Sequence, residues 1–383
     1  MKLSAIALGI LPLAVLAVPS GSGPGSNADA AAWRRIDQLQ TQYQQNIRNA
    51  IKGRQTGCTP SKLLRRREWG SLSKRDRQDY IDAAYCLARK PNKIPLSEMP
   101  GARRRYDDFV ASHLQQTPFV HADGLFLGYH RHYVHLYERA LREECGYKGT
   151  QPYWDWTLSY TDPSKMTVFD GSPWSLGSNG VFVPGRNATE LPLPGTDIVL
   201  VFPPATGGGC IQTGPFTEDK FKAILGPVGN LPQGPDGGQG YNPRCLVRDL
   251  SPTFSRDAGP QNVTALLDGS PDLGTFNTKL DIQGVHGVGH FLVGGEQLDV
   301  FVSPNDPIFW LHHAQVDRVW AIWQGQNLAE RVNAVWGTQT SGNFPPSDNV
   351  TLTTQVNFGI IGPSKPLKEV VSTVDYDHCY IYE

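Results

Sequence analysis

Four amphipathic segments each turn a histidine onto the same stripe as their large apolar residues, and this coincidence constrains the chain more than any other feature. In GYHRHYVHLYERALREE, His130, Val134, Tyr137 and Leu141 recur at helical spacing. In RRRYDDFVASHLQQ, Tyr106, Phe109, Val110 and His113 do the same. In DPIFWLHHAQVDRVWAIW the stripe is Phe309, His313, Val316 and Trp320, with His312 pointing elsewhere. In DIQGVHGVGHFLVGG it is Ile282, His286 and His290, despite Gly287 and Gly289, each costing a helix about 1 kcal/mol relative to alanine. One inward histidine is ordinarily a satisfied core residue. Several buried imidazoles need several partners, because an unpaired buried polar group is costly, and a metal satisfies many at once inside a helical bundle.

The donor set narrows the metal. The inward candidates are neutral nitrogen donors, and the nearby carboxylates are off phase. A di-iron bundle would present inward Glu and Glu-x-x-His pairs, which these stripes lack. A hydrolytic zinc site would want three ligands and a general base. Imidazole-only coordination suits copper or zinc, and six histidines suit two metals with three each. Two coppers, each changing by one electron, could handle dioxygen.

The rest of the chain sets the context. Lys2 precedes the apolar run LSAIALGILPLAVLAV, and Val15 and Ala17 are placed like a cleavage site, so residues 1–17 read as a secretory signal with a mature chain from Val18. Pro12 interrupts the run and no second apolar segment follows, so no membrane anchor is expected. With 35 basic and 36 acidic residues, net charge −1, there is no electrostatic footprint for nucleic acid. The clusters Arg65-Arg66-Arg67 and Arg103-Arg104-Arg105 are read as solvated faces. Six cysteines in a secreted chain suggest three disulfides, with 15 pairings open and Cys58–Cys86 favoured because both flank one compact segment. Asn187, Asn262 and Asn349 are sequons for N-glycans.

Helical patterns cluster at about 30–144 and 280–324. Residues 157–279 are rich in Gly, Pro, Ser, Thr and Asp and read as long loops with short strands or helices that wrap a scaffold or line a site. No internal repeat is visible. The expected architecture is mainly α, one domain over 18–383: a four-helix bundle holding a dicopper centre, with long loops and short peripheral strands.

These residues resemble the tyrosinase-type polyphenol oxidases, type-3 dicopper proteins, and among them the short fungal forms like catechol oxidases. The resemblance runs over nearly all of the mature chain and is carried by FLGYHRHYVHLYE, by SPNDPIFWLHHAQVDRVW, by CTPSKLLRRREWGSLSKRDRQDYIDAAYCL and by PYWDWT. It implies His113, His121 and His130 on one copper and His286, His290 and His313 on the other. His313 is chosen over His312 by its spacing to Asp317 and by helical phase. Tyr380-Ile-Tyr382 resembles the motif closing the family's core domain, so the chain is expected to lack the C-terminal lid of many relatives. Many relatives also cross-link a cysteine to the second ligand of the first copper. Here Phe119 stands two before His121 and Thr117 four after His113, so no thioether is expected and the His121 loop would be held by packing alone.

The resemblance further implies positions that control substrate. Gly287, after the first ligand of the second copper, often carries a polar residue, commonly Asn, in relatives with strong monophenol activity. Phe291, after the next ligand, offers no base either. Val300, thirteen before His313, falls where the family places a gate over the first copper. Asp317 is read as acting behind the ligands or as an anchor, with Arg318 and Asn305 structural. The implied activity is oxidation of o-diphenols, small phenolic substrates, to o-quinones, with dioxygen as co-substrate reduced to water by a secreted, extracellular enzyme. The alternatives are a tyrosinase hydroxylating monophenols, an o-aminophenol oxidase, a hemocyanin-like oxygen carrier, and a zinc hydrolase.

Overall fold

Helices α3 (Arg105–Gln116), α4 (Phe126–Cys145), α8 (Val285–Val293) and α9 (Ile308–Gly325) form the expected bundle in the computed structural model, which describes residues 25–192, 199–229, 232–281 and 284–383. The signal segment 1–17 and Ile282 lie outside the described residues. All eighteen residues of α9 are buried, the signature of a central helix rather than a surface one. It packs against α4, α8 and α1 (Asn27–Ile51), while α2 (Lys74–Arg89) backs α3 and α4. Local sequence starts and stops these helices. Ser73 and Asp76 form a reciprocal capping box at α2. Gly146, at φ 72°, ends α4 in the left-handed conformation that glycine adopts without a Cβ penalty.

An aromatic layer joins the bundle. Tyr137 of α4 stacks on Trp310 of α9 with centroids 3.7 Å apart, and Phe109 of α3 meets both edge-on at 5.4 and 5.6 Å. Tyr133 Oη donates to the Phe109 carbonyl at 2.7 Å, and Trp310 Nε1 to Tyr106 Oη at 3.1 Å. The histidine stripes of α3, α4 and α9 continue from this layer, so aromatic packing fixes where those imidazoles project.

The intervening region carries the expected short elements: strands β2 (Gly180–Phe182), β3 (Thr189–Pro192), β4 (Val199–Phe202) and β5 (Gly208–Ile211), then helices α5 (Pro252–Asp257), α6 (Pro260–Asp268) and α7 (Leu273–Leu280). β3 pairs antiparallel with β4, and β2 with β5. Later, β6 (Gln355–Val356) pairs with β7 (Lys365–Pro366). Near the chain's end β8 (Tyr380–Tyr382) runs parallel to β1 (Leu64–Arg66), placing Arg66 beside Tyr382.

Three disulfides form, and Cys58–Cys86 is not among them: the pairs are Cys58–Cys379, Cys86–Cys145 and Cys210–Cys245. Cys86 sits near the end of α2 against the last residue of its packing partner α4, Cys145. Cys58 leads toward β1, and Cys379 immediately precedes β8, so the parallel pairing brings them within 5.1 Å at Cα. Closing a 321-residue separation restricts the unfolded chain strongly. Replacing both Cys58 and Cys379 by serine is therefore expected to cost about 2–5 kcal/mol in urea unfolding.

The arginine clusters are corrected at one residue each, since Arg65, Arg67 and Arg103 are exposed as expected. Arg66 is fully buried, bonded to Glu138 at 2.5 Å, and Arg105 is buried against Asp108 and Glu144. Each finds a carboxylate partner inside the fold, which is what permits a buried guanidinium. Asn187 and Asn349 are exposed, whereas Asn262 is half-buried with its amide donated to the Asp257 carbonyl at 2.7 Å.

Candidate metal centre

His113, His121 and His130 lie with one nitrogen each within 4.8 Å of one another, and His286, His290, His312 and His313 form a second such group. The groups are contiguous: the His130 and His313 rings stack at 4.3 Å. Phe309 lies 5.2 Å from His113 and 4.2 Å from His313, and Phe126 lies 4.8 Å from His130 and 4.6 Å from His286, so two phenyl rings bridge the groups. Periodicity marks Phe309 only as a core position, and nothing in the sequence singles out Phe126.

Hydrogen bonds set the tautomers. A carbonyl only accepts, so a ring nitrogen facing one carries the proton. His113 Nδ1 faces the Phe301 carbonyl at 3.0 Å, His121 Nδ1 that of Thr117 at 3.1 Å, and His130 Nδ1 that of Phe126 at 2.9 Å. All three Nε2 atoms therefore present lone pairs, and those of His113 and His130 face each other at 3.5 Å. Lone pairs so arranged repel unless a cation lies between them. In the second group His286 Nδ1 faces Asp281 Oδ1 at 3.1 Å, and its buried Nε2 has no hydrogen-bond partner among the described residues. His290 and His313 meet through Nε2 at 3.3 Å, and among the described residues the Nδ1 of each has no partner. Imidazole nitrogens with committed or orphaned second nitrogens fit a pair of metal ions, and carbonyl or carboxylate partners behind them are the usual supports of metal-bound histidine.

His312 does not point away from this centre: its ring is 4.4 Å from that of His290. Its chemistry differs, however. Trp156 Nε1, which only donates, reaches His312 Nδ1 at 3.0 Å, so the neutral ring must carry its proton on Nε2 and offers no free lone pair. The second glycine between His286 and His290 follows from this ring. A Cβ on Gly289 would stand 2.2 Å from His312 Cε1, so glycine alone lets α8 approach α9 this closely.

Burial pushes the imidazoles down. His121 falls to about 4, with His286 adding to the effect and Asp281 opposing it. His113, His130, His290, His312 and His313 fall well below their usual value, again through burial first. The neutral, ligating form is thereby favoured.

Other expected positions fall as follows. Gly287 is buried in α8, its N–H donating to the Asp281 carbonyl at 3.3 Å. Phe291 packs on Phe202 and Phe254 at 4.7 and 5.5 Å, in a small apolar cluster with Leu191, Leu200 and Leu298. Val300 is half-buried beside Phe301, whose carbonyl holds His113. Asp317 is an anchor, accepting from Arg131, Tyr380 and Tyr382. Arg318 hydrogen-bonds Gln40 and Asp155, and Asn305 the Leu225 carbonyl and Glu296. All six cysteines are in disulfides, so none is available to bond His121. The His121 loop is nonetheless not held by packing alone: the Thr117 carbonyl, Asp281, Ser341 and Gly342 all hydrogen-bond it.

A helical bundle with two contiguous groups of inward imidazoles is the design of a dinuclear metal protein. Comparison with known proteins agrees: the family described as the common central domain of tyrosinase matches residues 103–326. The tyrosinase-like protein orsC of Emericella nidulans is 43% identical over 319 residues, 80% of this chain and 85% of that protein. The N-acetyl-6-hydroxytryptophan oxidase ivoB of the same fungus is 38% identical over 353 residues, 85% and 94% of the two chains. A mutant polyphenol oxidase from Thermothelomyces thermophila superposes with a TM-score of 0.85 at 39% identity, covering 91% of this chain and 98% of its own. The chain belongs to the tyrosinase family. It is an oxidoreductase of the fungal type, with two copper ions as cofactor and dioxygen as co-substrate.

Proposed function

We propose that this protein is a secreted enzyme that oxidises o-diphenols to o-quinones. Two diphenols each lose two electrons and two protons, and one dioxygen becomes two waters. His113, His121 and His130 would hold one copper, and His286, His290 and His313 the other. The copper pair supplies the redox chemistry that couples phenol oxidation to dioxygen reduction. The observation that carries the reading is the tautomer pattern: four of these rings have Nδ1 committed to an acceptor, which leaves Nε2 free to bind. His312, locked by Trp156, stays outside the ligand set and packs against His290.

The chain's own residues also favour diphenols over monophenols. A monophenol must lose its proton before an oxygen atom is added to its ring, and Gly287 and Phe291 offer no base beside the second group. Val300, next to the segment that anchors His113, is small enough to leave an aromatic ring access. Secretion is supported by the apolar N-terminal run and the three disulfides, which persist in oxidising compartments. Among the described residues no helix is long and apolar enough to cross a membrane.

Oxygen uptake by copper-loaded protein, with catechol and phenol in parallel, tests the reading. Rapid uptake with catechol and little with phenol is expected. Comparable uptake with both would make it a tyrosinase, and uptake with neither would favour oxygen carriage or another substrate.

A further inference from the structure

We propose that Asp281 is a positioning residue whose one carboxylate ties the two histidine groups together, doing by hydrogen bonds what a covalent link to His121 would do. This rests on the ligand assignment above. Asp281 Oδ1 faces His286 Nδ1 at 3.1 Å, and its Oδ2 accepts from the backbone N–H of Ala122 at 3.0 Å. His286 belongs to the second group, and Ala122 directly follows His121 of the first. The carboxylate is buried, so neither bond is exchanged readily for water.

Both ends need this clamp. Among the described residues His286 Nδ1 faces no carbonyl, unlike His113, His121 and His130; the Asp281 carboxylate holds its proton there and leaves Nε2 open. Ala122 stands at φ 51°, a conformation unfavourable for alanine. It is pinned on one side by Asp281 and on the other by the Gly342 N–H, which reaches the Ala122 carbonyl at 3.0 Å. The Ser341 hydroxyl donates to the His121 carbonyl at 2.6 Å. The Asp281 backbone carbonyl also accepts from Gly284 and Gly287, which seats the start of α8. One residue thus sets the tautomer of His286, the backbone of the His121 loop and the entry of the helix carrying His286 and His290.

Asparagine at this position cannot serve both ends. With its oxygen toward Ala122, its amide donates to His286 Nδ1 and moves the ring proton to Nε2. With its oxygen toward His286, two N–H groups meet at Ala122. The test uses full-length protein in two states. In metal-free protein, hydrogen exchange of the peptide spanning 117–125 is compared with peptides from α4 and α9, and 15N–1H NMR of 15N-histidine-labelled protein reads the His286 tautomer. In copper titrations, equilibrium dialysis with metal analysis reads both affinities.

For D281N and D281A the expected result is faster exchange around Ala122 with α4 and α9 unchanged. His286 should gain an Nε2–H signal, and copper affinity should fall about 10- to 100-fold at both sites. Ser341→Ala should loosen the loop and weaken the first site only. Unchanged exchange at Ala122, or weakening confined to the second site, would overturn the clamp. Should D281A not fold, D281N decides, since it keeps the volume and one acceptor. A protein that passes these tests but oxidises no diphenol would refute the proposed function and leave the clamp standing.

Discussion

Alanine at Asp317 is expected to lower the unfolding free energy by about 3–5 kcal/mol, the cost of stripping one partner from a buried ion pair. This carboxylate sits where the chain's ends and centre meet. It accepts from Arg131 Nε at 2.5 Å, from Tyr380 and Tyr382 hydroxyls at 2.6 Å each, and lies 3.5 Å from Arg66 Nη1. Both arginines are fully buried, so removing Asp317 leaves charge that water cannot reach. Arg66 keeps Glu138, and Arg131 keeps Gln324 and the Val371 carbonyl, so the fold should survive in weakened form. Urea unfolding of D317A against wild type measures the loss. Arg35→Ala is the control, because its pair with Asp268 is exposed on both sides and should be worth under about 1 kcal/mol. A D317A value as small as the control would mean that the Tyr380-Ile-Tyr382 strand is held by packing rather than by this network.

Metal-free protein is expected to lose its cooperative fold as pH falls from about 6.5 toward 5. Burial is the first cause holding nine histidines below their ordinary 6.5: the five named above with His121, and also His132, His135 and His378. The sign follows from linkage. A base whose folded value is depressed binds protons more readily when unfolded, so its stabilisation is complete above 6.5 and is lost as pH drops toward the folded value. By pH 5.5 each such group contributes on the order of 1 kcal/mol toward unfolding. Nine of them reach the 5–15 kcal/mol that holds a typical domain together. Bound copper competes with those protons, so the loaded protein should hold its fold to lower pH. Tryptophan fluorescence across a pH series, with and without copper, reads both midpoints. A metal-free protein with an unchanged urea midpoint at pH 4.5 would contradict the burial assigned to these rings.

The site was legible in the sequence where helical phase carried it and illegible where tertiary contact did. His113 and His130 stand in phase with Phe109 and Tyr137, and the fold packs Phe109 against Tyr137 and His113 against His130. Phase says less about His313, because α9 is buried on every side; spacing to Asp317 chose it over His312, whereas the tautomer that sets His312 apart depends on the indole of Trp156, 156 residues away in the sequence. His121 sits in a loop with no period to read, so only the family resemblance marked it. Asp281 was passed over because it is out of phase with His286, yet a carboxylate five residues earlier reaches back across the start of α8. The disulfides and buried arginines failed for one reason. Local compactness suggested Cys58–Cys86 and runs of like charge suggested solvated faces, whereas the partners Cys379, Cys145 and Glu138 arrive only when β8, α2 and α4 assemble.

Copper bound per chain tests the central claim most directly, measured by metal analysis after dialysis on wild type, H313A and H312A. The account predicts two coppers in wild type, about one in H313A, and two in H312A. Two zincs and no copper in the wild type, or a copper lost from H312A and retained in H313A, would contradict it.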